Sequence, residues 1–255
     1  CAPPVDSSFY VRDSVIVGAF ATDLKRAPSN AARAFDRLFA PIRGEASLTW
    51  ADVAKDDAAV APPSDPNAAY APFVFDCGAR VDGRCSVSHH AGVDENEPGN
   101  TRHITMPGEP FGMAFSEDAE SIVVTHQNDT KTSLFSSGLL ALGTSTTPAI
   151  QFVANDVPVG ATGIVSIPHD ADAFPAGTPV PRPAFLQTTR LAPRLDLLRY
   201  YPDEGASGSS TLHRPFLVNE VQIPITLSPS GFDSRGVVID ESPRILCKST
   251  ATSAS

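Results

Sequence analysis

Apolar positions along this chain come in short runs broken by polar turns, and long helices have almost nowhere to fit. The stretch "EPFGMAFSEDAESIVVTHQNDTKTSLFS" (109–136) is the clearest case. It reads as three short strands separated by turns, with His126 at the end of the middle one. Pro (24) and Gly (17) are spread over all 255 residues instead of collecting in one linker, so turns punctuate the chain at the intervals that many short strands require. The pattern predicts an all-β protein.

The meander recurs. "TGIVSIPHD" (162–170) begins fifty-one residues after the first copy and sets Gly163 against Gly112; "AFLQTTR" (184–190) and "RLDLLRYY" (194–201) follow an insertion rich in Pro and Ala. From His126 to Thr132 is six residues, and so is the step from Thr189 to Leu195. In "LFAPIRGEASLTWADV" (38–53), Ile42 and Leu48 stand six apart as well, which gives three copies. "SFYVRDSVIVGAFATDL" (8–24) offers a less regular fourth copy, and "SRGVVIDESPRILCKS" (234–249) restarts the unit with Gly236 in the glycine position.

Each copy follows one physical logic. "GMAF", "GIVS" and "GVVI" are apolar runs suited to an inner strand covered on both faces, and the preceding glycine lets the backbone turn where a side chain would crowd its neighbour. One such meander cannot bury both faces and must pack on copies of itself. A β-sandwich also has strands at short spacing, but it does not require the glycine and the six-residue step to recur together, so a β-propeller of four-stranded blades is the expected architecture.

The units "EPFGMAFSEDAESIVVTHQ", "ATGIVSIPHD" and "SRGVVIDESP" resemble the YVTN-type and YncE-like β-propellers of bacteria. About half of the chain carries the resemblance, because the first two copies lack the glycine strand. Fifteen or sixteen candidate strands make about four blades. The resemblance implies a larger ring, so the chain is expected to be part of one, with a four-bladed ring or closure by a partner as alternatives. Residues 9–249 form the expected propeller domain, between a tail at 1–8 and another at 250–255.

Charge removes one class of function. With 29 Asp+Glu against 19 Lys+Arg, a net charge of -10 and no basic block, the chain has no footprint for nucleic acid. It has no apolar run of about 18 residues that would cross a membrane as a helix. "CAPPVDSS", a cysteine followed by small residues and prolines, resembles a bacterial lipoprotein after removal of its signal peptide, with Cys1 as the lipidated residue; a boundary that happens to fall on a cysteine is the alternative. Cys77 and Cys85 bracket "CGARVDGRC", a loop that a disulfide could close, consistent with an oxidising compartment. Cys247 is left over.

Familiar catalytic motifs are absent: no G-x-S-x-G, H-E-x-x-H, G-x-x-x-x-G-K-[ST] or G-x-G-x-x-G occurs. His126 either faces a loop surface where ligands bind or caps a turn. His169 and Asp170, with Asp172, form a polar knot able to contribute to a Ca²⁺ site or simply to a solvated turn. The densest group lies in 88–103, where His89, His90, Asp94 and His103 would bind a divalent metal if they converged. Arg190 and Arg235 could grip a carboxylate or a sugar, or pair with surface acids.

Two functions from different classes follow. The first is an extracytoplasmic, lipid-anchored propeller in the bacterial cell envelope that binds an envelope protein, a small molecule or a glycan, needs no cofactor, and meets the membrane only through its N-terminal lipid. The second is a lactonase-like or other hydrolytic enzyme with its site at the central channel; His126, His169 and Asp170 are the residues to test for it.

Overall fold

The computed structural model describes residues 15–28, 35–54, 102–116, 119, 121–138, 148–167, 182–201, 215–225 and 235–239. Among these residues are twelve strands and no helix: β1 (Lys25–Ala27), β2 (Phe35–Ile42), β3 (Ser47–Ala54), β4 (His103–Thr105), β5 (Pro110–Phe115), β6 (Ser121–His126), β7 (Thr132–Ser136), β8 (Ala149–Ala154), β9 (Ala161–Ile167), β10 (Ala184–Thr189), β11 (Arg194–Tyr201) and β12 (Phe216–Pro224). They form three antiparallel four-stranded sheets in chain order, β1–β4 (sheet I), β5–β8 (sheet II) and β9–β12 (sheet III).

Sheet II lies between the other two. Successive residues of a strand point to opposite faces, so a strand covered on both sides must be apolar at every position. In sheet II, Met113, Ile122, Val124 and Phe135 pack toward Phe39, Leu48 and Trp50 of sheet I. Their neighbours Ala114, Val123 and Leu134 pack toward Ile164, Phe185 and Leu198 of sheet III. All of β6 is consequently buried.

The six-residue step is a hairpin register. Pro41 pairs with Leu48, Thr125 with Thr132 and Thr188 with Leu195, so the second and third strands of each sheet meet identically. The approach to the first strand repeats too. Phe20, Glu109 and Gly160 have φ of 60°, 50° and 92°. Their carbonyls accept the backbone N–H of Arg43, Gln127 and Arg190 at 3.0, 2.9 and 2.8 Å. The residues that follow them, Ala21, Pro110 and Ala161, pair with Ile42, His126 and Thr189. A left-handed residue suits glycine and strains Phe or Glu, so its recurrence at three equivalent positions marks a turn that the architecture demands.

This equivalence corrects the count of copies. Residues 8–24 were expected to make a unit of their own, separate from 38–53. The pairing of Ala21 with Ile42 and of β1 with β2 instead joins their described residues in sheet I. The described residues therefore hold three complete four-stranded sheets and a segment at 235–239 outside them, against an expectation of about four blades.

Three residues after each left-handed position comes Asp23, Gly112 or Gly163. A Cβ on Gly112 would run into the Thr162 carbonyl oxygen of β9. One on Gly163 would stand 2.6 Å from Thr188 Oγ1 and 2.7 Å from the Cα of Gly236. The hydroxyls of Thr125 and Thr188 take the N–H groups of Gly112 and Gly163 at 2.9 and 3.1 Å, fixing each glycine against its own second strand. In sheet I the carboxylate of Asp23 does the bridging and accepts the Met113 N–H of β5 at 3.0 Å. β5 of sheet II thus lies directly on β9 of sheet III, and Asp23, just ahead of β1, meets β5.

The strand directions separate two ends. Hairpins 43–46, 127–131 and 190–193 lie at one end, tied across sheets I and II by Arg43 Nη2 and Glu109 Oε2 at 3.1 Å. The long connections 55–102, 137–148, 168–183 and 202–215 all leave and rejoin the sheets at the opposite end.

Gly112→Ala is expected to destabilise the protein by about 1–3 kcal/mol, because backbone cannot yield to the added methyl. Gly108→Ala, where nothing lies within 4 Å of the new atom, should stay within about 0.5 kcal/mol of the parent in the same urea titration.

Candidate functional site

His126 ends β6 and is fully buried. Its Nδ1 lies 3.0 Å from the Gly108 carbonyl oxygen and its Nε2 lies 2.8 Å from Ser133 Oγ. A carbonyl can only accept, so Nδ1 carries the proton and Nε2 accepts from the serine hydroxyl. Burial lowers the imidazole pKa from its ordinary value of 6.5, against smaller opposing effects of the Gly108 carbonyl and the Asp129 charge. Asp129 sits in the adjoining turn, where the ammonium of Lys131 at 2.7 Å holds its carboxyl below the usual range.

Serine, histidine and a carbonyl in series have the connectivity of an activated nucleophile. Here, however, both Ser133 and His126 have no exposed surface, and a backbone carbonyl stands where a carboxylate would stabilise the imidazolium. As folded, the pair clamps the approach to β5 onto β7; no substrate atom could reach Oγ without opening sheet II.

A second polar group lies between sheets II and III. Thr132 Oγ1 donates to Gln187 Oε1 at 2.8 Å across the interface. Gln187 stands directly opposite Asp196, whose carboxylate is buried and takes Arg194 Nη2 and Asn219 Nδ2 at 3.1 Å each. Gln187 Nε2 and Asn219 Oδ1 are buried without a partner. Sequence reasoning passed over Ser133, Gln187 and Asp196. The available signal was polar residues at inward positions of apolar strands, Gln187 in "FLQTT" and Asp196 in "RLDLL".

At the connection end, Arg37 is 3% exposed and meets Asp52 through two bonds, Nε to Oδ1 at 2.6 Å and Nη2 to Oδ2 at 2.9 Å. Its Nη1 reaches the Ser137 carbonyl of sheet II at 3.4 Å. Arg102 Nη1 also bonds Asp52 Oδ2, at 2.9 Å. Asp52 stands just before the 55–102 connection and Arg102 is its last residue, so one carboxylate holds both ends of the longest connection at the junction of sheets I and II.

The residues singled out in the sequence fall as follows. His103 is exposed on β4, opposite Thr49. Arg190 follows β10 at the position equivalent to Gln127, half-buried, with its N–H on the Gly160 carbonyl. Arg235 is exposed beside Gly236. His126 and Arg190 therefore occupy the hairpin end of neighbouring sheets. Cys1, Cys77, Cys85, His89, His90, Asp94, His169, Asp170 and Cys247 lie outside the described residues. Among the described residues no three His, Cys, Asp or Glu side chains are grouped to hold a metal ion. No protein-family model matches the chain, and no curated protein matches it.

Two outcomes follow from this geometry. Arg37→Ala removes a buried cation while Arg102 stays on Asp52, and should cost about 1–3 kcal/mol, read as a lowered urea midpoint. For His126, the unfolded imidazole titrates near 6.5 and the folded one below it. The unfolded chain therefore binds the extra proton first: the contribution is fully present above 6.5 and is lost as pH falls through the lower, folded pKa. Unfolding free energies from about pH 8 to about pH 5 should show this slope in the parent and lose it in His126→Gln.

Proposed function

We propose that the chain is a propeller-type binding or scaffold module of the bacterial cell envelope, extracytoplasmic and anchored through lipid on Cys1. One observation carries the reading: three sheets repeat the same construction, with tight hairpins at one end and the connections 55–102, 137–148, 168–183 and 202–215 joined at the other. Rigid repeated sheets with variable connections at one end let recognition diverge without disturbing the core. The likeness of the units to YVTN-type and YncE-like propellers supports the same assignment. A ligand of this module is an envelope protein, a small molecule or a glycan, met at the connection end. A divalent metal would enter through His89, His90, Asp94 and His103, or through His169 and Asp170.

The reading is tested on the protein isolated from its natural membranes. Intact mass should show a diacyl or triacyl group on Cys1 and a gain of about 2 Da on reduction from a Cys77–Cys85 disulfide. Immobilised protein should lose its envelope ligand when residues 168–181 are replaced by a Gly-Ser linker and keep it when hairpin 127–131 is replaced. An unmodified Cys1 in a soluble fraction, or equal loss from both replacements, would overturn the proposal.

A further inference from the structure

Polar atoms left over inside the protein gather in one place. Among the described residues, the buried side-chain atoms that meet no hydrogen-bond partner are Ser47 Oγ, Gln127 Oε1, Gln187 Nε2, Thr189 Oγ1 and Asn219 Oδ1. All but the first lie at the junction between sheets II and III. Thr125 Oγ1 reaches the Thr162 carbonyl of sheet III at 3.4 Å, and Gln127, two residues on, continues that side of sheet II. From sheet III, Gln187 meets Thr132 of sheet II, and Thr189 follows it on the same side. Asn219 Nδ2 reaches Asp196 Oδ1 at 3.1 Å and the Asp156 carbonyl oxygen, ahead of β9, at 3.4 Å. Gln187, Thr189 and Asp196 are at most 1% exposed, so bulk solvent does not serve them.

The corresponding place in the other junction is apolar. Val124 pairs with Ser133 as Gln187 pairs with Asp196, so the two occupy one position of the second strand, and Leu48 and Thr132 likewise share one position of the third. Leu48 and Val124 belong to the core between sheets I and II. Thr132 and Gln187 put a hydrogen bond there instead, which satisfies the amide oxygen of Gln187 and leaves its nitrogen over. Directly opposite, the carboxylate of Asp196 offers about four lone-pair sites. Arg194 Nη2, Arg194 Nε and Asn219 Nδ2 take three of them, leaving one on Oδ2.

A buried polar group without a partner costs about as much as a lost hydrogen bond, and native proteins supply one, often as water. The chemistry of the leftover atoms selects the ligand. Gln187 Nε2 can only donate, whereas Gln127 Oε1 and Asn219 Oδ1 can only accept. A metal cation takes acceptors alone and an anion takes donors alone; water takes both. We propose that ordered water is bound in this junction, accepting from Gln187 Nε2 and donating to Asp196 Oδ2 and Asn219 Oδ1, with further water serving Thr189 Oγ1 and Gln127 Oε1. Sheet III is then joined to sheet II through water at the position where sheets I and II meet through side chains alone. The inference goes beyond the binding-module reading and is independent of lipid on Cys1 and of any ligand at the connection end.

A high-resolution crystal structure of the full chain should show a water oxygen within about 3.2 Å of both Gln187 Nε2 and Asn219 Oδ1. In solution, NMR should show cross-relaxation from water to the side-chain amide protons of Gln187. Gln187→Val should lower the urea midpoint, because it strands the Thr132 hydroxyl. Thr132→Leu/Gln187→Val, which installs the pair used between sheets I and II, should regain most of that loss. A direct bond from Gln187 to Asp196 with no water between them overturns the proposal. So does a cation at the site, recognised by oxygen contacts of about 2.4 Å with Gln187 turned to present Oε1. A double variant no better than Gln187→Val also overturns it, because the Thr132–Gln187 pair would then not be what draws water into the junction.

Discussion

Backbone against backbone, with no side chain between, is the contact on which the rest of this structure depends. The Thr162 carbonyl fills the space a Gly112 side chain would need, and Gly236 fills that of Gly163. Sheets II and III consequently approach most closely where β5 meets β9, and side chains such as Leu134, Phe185 and Leu198 fill the space between them. Close approach of one backbone to the next is what this junction requires. Asp23 shows that the condition is proximity and not glycine itself, since its carboxylate spans the junction by accepting a backbone N–H.

Much of this was legible in the residues. The six-residue step located three hairpins whose registers coincide, and the apolar run "GMAF" announced a strand covered on both faces. Sheet I was harder to read because its junction residue is Asp23 and its left-handed residue is Phe20, so the glycine signal vanished while the geometry stayed. That is why 8–24 and 38–53 read as separate copies. For His126 the sequence left a surface role and a turn cap open; the burial and the Ser133 bond depend on a neighbouring strand seven residues away, which local pattern cannot supply. Most of the proposed metal ligands, and the cysteines, belong to stretches whose composition invites chemistry but whose convergence no periodicity encodes.

The two ends of the stack divide the work. At the hairpin end, tight turns carry the repeated hydrogen bonds and the Arg43–Glu109 pair, and their lengths hardly vary. At the other end the connections differ greatly in length, and Arg37, Asp52 and Arg102 isolate the longest of them from the strands it joins. Because loop closure costs little more as a loop lengthens, such an end can gain or lose residues while the sheets keep their register.

Trp50 is the only tryptophan in the chain, and it is 4% exposed in the core between sheets I and II. Tyr200 occupies the core between sheets II and III. The two junctions therefore carry different natural chromophores. In a stack held together by nearest-neighbour contacts, Trp50 emission followed beside the circular dichroism of all the strands would report the loss of the junction between sheets I and II against the unfolding of the whole, and would distinguish a protein that melts as a whole from one that sheds its sheets in turn.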